Sequence, residues 1–405
     1  MKSLFPTFFY RRAGRSEKIR LMLLVLFLNG LYWGCSSGSE QGPAGQEVRE
    51  FALESALNSG KEDKKEIGEH LKIKQSVILE FNEDHPIQNI HKIMVQEPHI
   101  FILDNAQNYL YLYDDQGKLV RRIGTLGSGP GEYRDITDFS LTDDEIVIFS
   151  NDSRKIIHYE KDGALIREIP ILFSGASVVP VDSGYILWTR HNVSSDAPYD
   201  LILMDSTGQM IRGAEKADPG FPSFTSSGFL VKQGPENVRY LKMFGQEIHD
   251  LDENFDPRPL YRFDLGPTAL RLKENMNIEN LLSTHHEKTF LSDMYWENSS
   301  LILLYFHHDL RRSFGLIPKS DWQMHTESWY EDHAILDILR SIKTGYMTEE
   351  NLYVCSNPGF YQSEDRFALM DSFISWDDSV TGPEDKKKLI ENSNGLIFEM
   401  EVVQP

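Results

Sequence analysis

The chain has 405 residues, of which 40% are hydrophobic and 25% are charged, so it can bury a sizeable core. Its 62 acidic and 41 basic residues give a formal charge of −21. This balance argues against a nucleic-acid partner, because phosphate binding needs a basic surface. Two cysteines are too few for a disulfide scaffold or a cysteine-rich zinc site.

The first 34 residues have the features of an export signal. Residues 2–20 contain six basic side chains and one acidic side chain, and the apolar run Leu21–Leu28 follows. A basic start before a short apolar run is typical of a secretory signal, because such a run is too short to span a bilayer comfortably. A signal anchor that stays in the membrane is the alternative interpretation. We predict a signal peptide over residues 1–34.

Cys35 stands directly after Gly34, at the end of the apolar region, and before the small residues Ser36–Ser39. This arrangement resembles a bacterial lipoprotein cleavage site, which implies that Cys35 becomes the lipid-modified N-terminus. The residues that follow contain a Gly-Pro-Ala-Gly segment and a charged run, so we predict a flexible tether over 35–70. The second cysteine, Cys355, lies in an apolar stretch and is interpreted as a small core residue.

A repeat begins after this tether. A turn that ends in glycine recurs between strand-like residues, at spacings of 46, 45 and 47 residues. The four copies are Tyr113–Gly117, Tyr159–Gly163, Met204–Gly208 and the degenerate Leu251–Phe255. A period in this range indicates either propeller blades or a helical repeat. The flanking runs are short, rich in Ile, Val, Tyr and Phe, and bounded by Asn, Asp and Gly, which favours β-strands and therefore blades.

Two further repeat units fit the rest of the chain. The fifth uses residues 301–321, and the sixth uses residues 334–355 together with the last strand, 394–403. We therefore predict an all-β fold over residues 71–405. Its architecture is a six-bladed β-propeller of four-stranded antiparallel blades.

The length of the predicted propeller exceeds what six ordinary blades need. Residues 267–294 and 382–393 have helical composition and interrupt the β pattern, so we predict an insertion at each place. A propeller must also close its ring. The strand Val77–Phe81 is placed to pair with the C-terminal blade, which would close the ring by joining the N- and C-terminal strands.

The segment Gly127–Tyr133, followed by a strand start at Ile136–Phe139, resembles the six-bladed β-propeller lipoprotein family common in Bacteroidetes, which is related to the NHL-repeat propellers. The resemblance covers about residues 71–404 and includes the last strand, Asn394–Val403. It implies the propeller fold, a lipoprotein signal and a location at the bacterial cell envelope. The chain departs from the family pattern at the fourth turn, where Phe255 stands in place of glycine.

No catalytic motif occurs with its required spacing, so we assign no catalytic, cofactor-binding or metal-ligating residue. The pairs His285–His286 and His307–His308 are the sharpest metal candidates, but adjacent residues on a strand point to opposite faces and rarely hold one ion. The acidic loops Asp143–Glu145 and Asp377–Asp378 offer oxygen ligands for Ca²⁺. Such residues are also typical of solvated turns. We expect no cofactor, with Ca²⁺ as the one candidate.

The export signal, the repeat and the lack of a nucleophile–base motif favour a lipid-anchored binding or scaffold module at the cell envelope. Loops at the propeller mouth would bind a protein, a peptide or a glycan, and acyl chains would attach the protein to the membrane. Two alternatives stay open. One is a hydrolase or lyase with a metal ion in the central channel, and the other is a structural envelope protein without a small ligand.

Overall fold

The computed structural model describes residues 47–59, 64–191, 197–217, 228–233, 237–252, 254–270, 287–309, 311–331, 334–356 and 382–404, with a few single residues between 367 and 380. In this part of the chain the strands form six sheets, each containing four antiparallel strands. The innermost strands of neighbouring sheets contact one another around a central channel. The fold is a six-bladed β-propeller, which confirms the predicted fold class.

The N-terminal segment supplies two strands to sheets that are otherwise formed much later in the chain. Strand β1 (Arg49–Ala52) is followed by helix α1 (Leu53–Asn58), a 3₁₀ turn (Ile67–Glu69) and strand β2 (Leu71–Leu79). β1 adds a fifth, parallel strand to the rim of the fourth blade, and β2 joins the sixth blade.

The first three blades follow in chain order, and each runs from an innermost strand at the channel to an outermost strand at the rim. The strands of blade I are β3 (Ile90–Gln96), β4 (His99–Asp104), β5 (Tyr109–Asp114) and β6 (Leu119–Ile123). A short parallel pair, β7 (Thr125–Leu126) and β8 (Glu132–Tyr133), leads to the next blade. The strands of blade II are β9 (Asp138–Leu141), β10 (Glu145–Ser150), β11 (Lys155–Glu160) and β12 (Leu165–Pro170). The strands of blade III are β13 (Ser177–Val181), β14 (Gly184–Trp188), β15 (Tyr199–Met204) and β16 (Met210–Lys216).

The last three blades include two helices. The strands of blade IV are β17 (Phe229–Gln233), β18 (Asn237–Leu241), β19 (Glu247–Leu251) and β20 (Pro257–Asp264). The strands of blade V are β21 (Phe290–Glu297), β22 (Leu301–His308), β23 (Arg311–Pro318) and β24 (His325–Thr326). After a 3₁₀ turn (Glu327–Trp329) come helix α2 (Ala334–Ser341), strands β25 (Ile342–Met347) and β26 (Asn351–Ser356), helix α3 (Pro383–Glu391) and strand β27 (Gly395–Val402).

Blade VI closes the ring with strands from both ends of the chain. β2 pairs antiparallel with β27, from Leu71 opposite Val402 to Leu79 opposite Gly395. The order from rim to channel is therefore β2, β27, β26 and β25. This arrangement confirms the predicted closure, with a strand that is longer than the predicted one.

The structure corrects the predicted composition of blade VI. Residues 334–341 were expected to contribute to its β-structure, but they form α2. Its apolar residues recur at helical spacing, and Ile335, Leu336, Ile338 and Leu339 are buried. The fourth strand of the blade comes from β2 instead. Of the two predicted insertions, α3 lies in the second. The first lies mostly outside the described residues, and its last part is the beginning of β21.

The repeated turn has the same geometry in blade I and blade IV. In blade I, Asp114 Oδ1 accepts hydrogen bonds from the backbone N–H groups of Gln116 and Lys118, at 3.0 and 2.8 Å. Gly117 adopts a φ of +77°, which glycine tolerates without strain. In blade IV, Phe255 occupies the equivalent position with a φ of +61°. Its ring is buried, so apolar packing offsets the cost of the left-handed backbone.

Part of the segment predicted as a flexible tether over 35–70 packs on the propeller. Phe51 in β1 and Leu53 and Ala56 in α1 are buried with the core of blades IV and V. The backbone carbonyl of Ala56 accepts a hydrogen bond from Trp329 Nε1 at 2.8 Å. These apolar residues are what orders the segment, because they remove surface from water. The predicted signal peptide and Cys35 lie outside the described residues. Where the structure describes the chain, no helix is both long enough and apolar enough to cross a bilayer.

Candidate binding site at the channel mouth

The innermost strands of blades V, VI and I share an irregularity near the ends at which they begin. The pairing register shifts once in each of β21, β25 and β3. In β25 and β3 the shift leaves one residue, Lys343 or His91, without a partner across the ladder. In β21 it leaves three, residues 292–294, with Asp293 in the middle. A β-bulge of this kind bends the strand and redirects the extra side chain. The side chains of Asp293, Lys343 and His91 are exposed.

The innermost strands of blades II, III and IV pair with their neighbours without such a shift over their described residues. The ring therefore has two parts at the mouth. We call blades V, VI and I the bulged half and blades II, III and IV the regular half. Bulges are enriched beside functional sites because they re-aim side chains, so the bulged half is the place to look for a binding site.

A recess of about 430 Å³ lies at the mouth of the bulged half. Its polar lining comes from Asn89, His91, Arg312, Ser341 and Lys343, and Ile90 and Ile342 complete it. We call this the mouth recess. It contains two permanent cations and one imidazole, and its lining includes no carboxylate. Helix α2 brings Ser341 to the recess, and the start of β23 brings Arg312.

Arg312 is held in place across the seam between blades V and VI. Its Nη2 donates a hydrogen bond to the backbone carbonyl of Ile342. Its Nη1 lies 3.5 Å from Met294 Sδ, and its guanidinium carbon lies 5.5 Å from the ring centroid of Tyr305. Among the described residues, no carboxylate forms an ion pair with Arg312 or Lys343. The recess therefore presents uncompensated positive charge in a chain that is strongly acidic overall.

His91 is accessible to solvent and yet surrounded by protein, as a side chain inside a channel is. Burial lowers the pKa of its imidazole below the usual value, and the positive charges of Lys92 and Arg190 act in the same direction. The carboxylates of Asp138 and Asp293 oppose them. The lowered pKa favours the neutral imidazole at neutral pH, which donates one hydrogen bond and accepts another.

In the regular half, the charged residue Asp138 at the start of an innermost strand is buried and not exposed. Asp138, the first residue of β9, is 5% exposed. Its carboxylate accepts hydrogen bonds from Lys92 Nζ at 2.7 Å, Ser177 Oγ at 2.5 Å and the Val178 backbone N–H at 3.1 Å. These donors belong to blades I and III, so Asp138 joins three blades and has no oxygen left uncompensated.

A second buried carboxylate lies at the other end of β21, between blades IV and V. Glu297 accepts a hydrogen bond from Arg239 Nε at 2.9 Å and from Lys319 Nζ at 2.7 Å. The hydroxyls of Tyr261 and Tyr295 donate to the same carboxylate, at 2.7 and 2.5 Å. Burial raises the pKa of Glu297, but the two cations outweigh it and lower the pKa to about 2. Glu297 is therefore a structural ion.

The predicted metal candidates do not come together. The His307 ring stacks on Phe290 at 4.6 Å, whereas His308 Nδ1 lies 2.8 Å from Thr289 Oγ1. In the acidic loop Asp143–Glu145, Glu145 pairs with Arg167 at 3.0 Å and with His158 at 2.5 Å.

His285, His286, Asp377 and Asp378 lie outside the described residues. Over the part of the chain that the structure describes, no group of three or more His, Cys, Asp or Glu side chains is arranged to hold a metal ion. The Ca²⁺ candidate has no support from Asp143–Glu145. Cys355 is buried in β26, as its apolar neighbours predict.

The mouth recess is not predicted by any sequence motif. The signal that was available is a break in alternation, because Ile90 and Ile93 are three residues apart and yet both are buried. In a regular strand, residues at odd spacing face opposite sides of the sheet. The intervening His91 and Lys92 therefore mark a bulge. For Arg312 no comparable signal exists, because Arg311 beside it has the same chemistry.

The ring of six sheets and the mouth recess place the protein among the six-bladed β-propellers with a polar recess at one end of the channel. The chain belongs to the family described as "Domain of unknown function (DUF4934)", whose model matches residues 61–394. The finer resemblance to NHL-like propeller lipoproteins stays a prediction. A search of curated proteins found no match.

Solved structures of two Bacteroides proteins have similar folds. One is a Bacteroides fragilis protein assigned as exported, with a TM-score of 0.64 and 16% identity over 88% of this chain and 99% of that chain. The other is a member of the DUF4221 family from Bacteroides vulgatus, with a TM-score of 0.55 and 10% identity over 83% of this chain and 99% of that chain. At these identities the likeness shows the fold alone. Virginiamycin B lyase from Staphylococcus aureus has a TM-score of 0.41 and 13% identity over 70% of this chain and 81% of that chain, too low to carry an argument about activity.

Proposed function

We propose that this protein is an exported, lipid-anchored β-propeller that acts as a binding module at the bacterial cell envelope. The observation that carries the binding role is the bulged half of the mouth. There, three consecutive innermost strands present exposed charged or polar side chains, whereas Asp138 of blade II buries its carboxylate in hydrogen bonds to blades I and III. A propeller mouth of this kind is concave and is rimmed by loops, which suits recognition.

The anchoring part of the proposal rests on the sequence before the propeller. The basic, then apolar, N-terminal residues end at Gly34-Cys35. A single lipid-modified cysteine of the bacterial type attaches a protein to a membrane through its acyl chains. The similar fold of a Bacteroides fragilis protein assigned as exported is compatible with this location. The ligand would be a protein, a peptide or a glycan of the envelope.

A cysteine exchange tests the anchor. We expect the Cys35→Ala chain to shift from the membrane fraction to the soluble fraction after cell lysis, because it can no longer be acylated. The matched control is Cys355→Ala, which removes the other cysteine. That thiol is buried in β26, so this control should stay with the membranes. Recovery of both variants in the membrane fraction would contradict lipidation at Cys35.

Site-directed photo-crosslinking tests the binding surface. A photo-reactive amino acid in place of Asp293 lies at the mouth, and one in place of Ile211 lies on the exposed rim of blade III. We expect envelope material to be crosslinked from position 293 and not from position 211. Equal crosslinking from both positions, or crosslinking from the rim alone, would contradict a binding role for the mouth.

A further inference from the structure

The mouth recess concentrates positive charge that the protein does not neutralise. Arg312 and Lys343 both line it, and in the described part of the chain neither has a carboxylate partner. Two other partly buried cations are paired with carboxylates, Lys92 with Asp138 and Lys319 with Glu297. Cations brought together without a counter-charge attract an anion from solution.

The donors of Arg312 are oriented before any ligand arrives. The hydrogen bond from Nη2 to the Ile342 carbonyl and the approach to Tyr305 fix the plane of the guanidinium. A guanidinium has five N–H donors in a rigid fork, which matches the two oxygens of a carboxylate or phosphate. These contacts take one N–H of each Nη, and the other three N–H donors have no protein partner among the described residues. Binding therefore costs little side-chain ordering at this residue.

The size and the neighbours of the recess narrow the class of ligand. A volume of about 430 Å³ lies within the range of small-molecule sites, about 300–1,000 Å³. Neutral His91 can donate or accept a hydrogen bond at the edge of the recess. Asp293, on the neighbouring bulge, lies close enough to influence the charge of His91. Asp293 is not part of the lining, but a ligand that extends from the recess toward it would meet a carboxylate, which accepts hydrogen bonds from hydroxyl groups and repels a second anion.

We propose that the mouth recess binds a small hydroxylated ligand through one oxyanion, either a carboxylate or a phosphate, which Arg312 and Lys343 hold. This inference deepens the proposed binding function and rests on it. The two oxyanions share the same recognition chemistry and come from different sources. Acidic sugars carry the carboxylate, and phosphorylated sugars or lipid headgroups carry the phosphate.

Titration of the full chain in detergent with three matched sugars tests the inference. The probes are glucuronate, glucose 6-phosphate and neutral glucose, and binding is followed by calorimetry. We expect at least one anionic sugar to bind at least about tenfold more tightly than glucose, because a charge-assisted hydrogen bond contributes about 1.5–3 kcal/mol. The preferred anion identifies the source. Equal binding of all three sugars, or binding of none, would overturn the inference.

Variants locate the binding. Arg312→Gln and Lys343→Gln should each weaken the preferred anion about tenfold or more. The matched control is Arg311→Gln, one residue away on the same strand and outside the recess, which should bind as the unmodified chain does. If Arg312→Gln failed to fold, the Lys343→Gln variant would test the inference by itself, because Lys343 is exposed and its exchange should not disturb folding. Unchanged anion binding in a folded Lys343→Gln chain would also overturn the inference.

The crosslinking experiment separates this inference from the broader function. If position 293 still captures envelope material and the anionic sugars do not bind, the binding function stands and the oxyanion inference fails. If position 293 captures nothing more than position 211 does, the binding function itself fails. The sugar titrations then report only on the recess.

Discussion

The two halves of the ring use charge at the mouth in opposite ways. In the regular half, Asp138 is buried and accepts three hydrogen bonds that join blades I, II and III. In the bulged half, His91, Asp293 and Lys343 are exposed and lie where the ladder is interrupted. A bulge removes ladder hydrogen bonds and so weakens the sheet. Such local costs are typical of functional sites. Charge thus maintains the ring in one half and remains available for recognition in the other.

This difference between buried and exposed charges holds at the channel mouth and not along the full length of each blade. Strand β21 carries two carboxylates four residues apart. Asp293 is exposed in the bulge, whereas Glu297 is buried and is bonded by Arg239, Lys319 and two tyrosines. One strand therefore contains a carboxylate that is buried among its partners and a carboxylate that is exposed to solvent. This pair allows the comparison to be tested within a single element.

The largest expected effect is at Glu297. Glu297→Gln should lower the free energy of unfolding by about 3–5 kcal/mol, because it removes the counter-charge of the largely buried Lys319 and leaves Arg239 with Asp250 as its one remaining carboxylate among the described residues. Urea unfolding at neutral pH measures the change. The matched control is Asp293→Asn on the same strand, which should change the free energy by no more than about 0.5 kcal/mol. Similar losses for both variants would remove the distinction between the two ends of β21.

The same residue predicts a pH dependence. Folding lowers the pKa of Glu297 from its ordinary value of 4.5 to about 2. A carboxylate whose pKa is lowered on folding stabilises the native state above its ordinary pKa, and this stabilisation is lost as the pH falls toward the folded value. The difference in stability between the unmodified chain and Glu297→Gln should therefore shrink between pH 5 and about pH 2. A constant difference over this range would contradict the assigned charge.

The next effect is at Asp138 in the regular half. Asp138→Asn should lower the free energy of unfolding by about 1–3 kcal/mol, since the exchange removes the charge that pairs with Lys92 and weakens two other hydrogen bonds. The loss should be smaller than for Glu297→Gln because the Lys92 side chain is 32% exposed and keeps part of its hydration. Thermal unfolding measures it. No loss at all would mean that the regular half does not depend on its buried charge.

The smallest effect is at Lys343. Lys343→Gln should leave the free energy of unfolding unchanged within about 0.5 kcal/mol, because the side chain is exposed in a bulge and makes no ion pair among the described residues. Chemical unfolding of the variant beside the unmodified chain checks this. A loss comparable to that of Asp138→Asn would show that the bulged half also needs its charges for folding. The division of the ring would then be wrong.

The sequence predicts the ring far better than it predicts the site. Turns such as Tyr113–Gly117 recur at nearly constant spacing because each blade repeats one hairpin pattern, and this local information is enough to count blades I to IV. Blade VI was harder in one detail. The need to close the ring predicted a strand from the N-terminal end, and β2 supplies it. Residues 334–341 were also assigned to the β-structure of this blade, although their apolar residues recur at helical spacing.

The mouth recess depends on details that one sequence hardly encodes. His91 can be recognised as the bulged residue with certainty only when β3 is aligned with β4, because a bulge is defined by the pairing of two strands. Arg312 and Lys343 lie on different blades, and their proximity follows from the closure of the ring. The repeat pattern predicts that loops at the propeller mouth form the binding surface, but it does not predict which residues lie there.

The closure of blade VI also constrains how the protein is made. Its sheet needs residues 71–79 and residues 395–402 at the same time, so translation must reach the last strand before the sheet can be assembled. Domains whose parts lie close together in sequence begin to fold during synthesis. Here the first and last strands stay separate until the final residues emerge. The ring therefore cannot close until residues 395–402 have been synthesised, which suits the export proposed above.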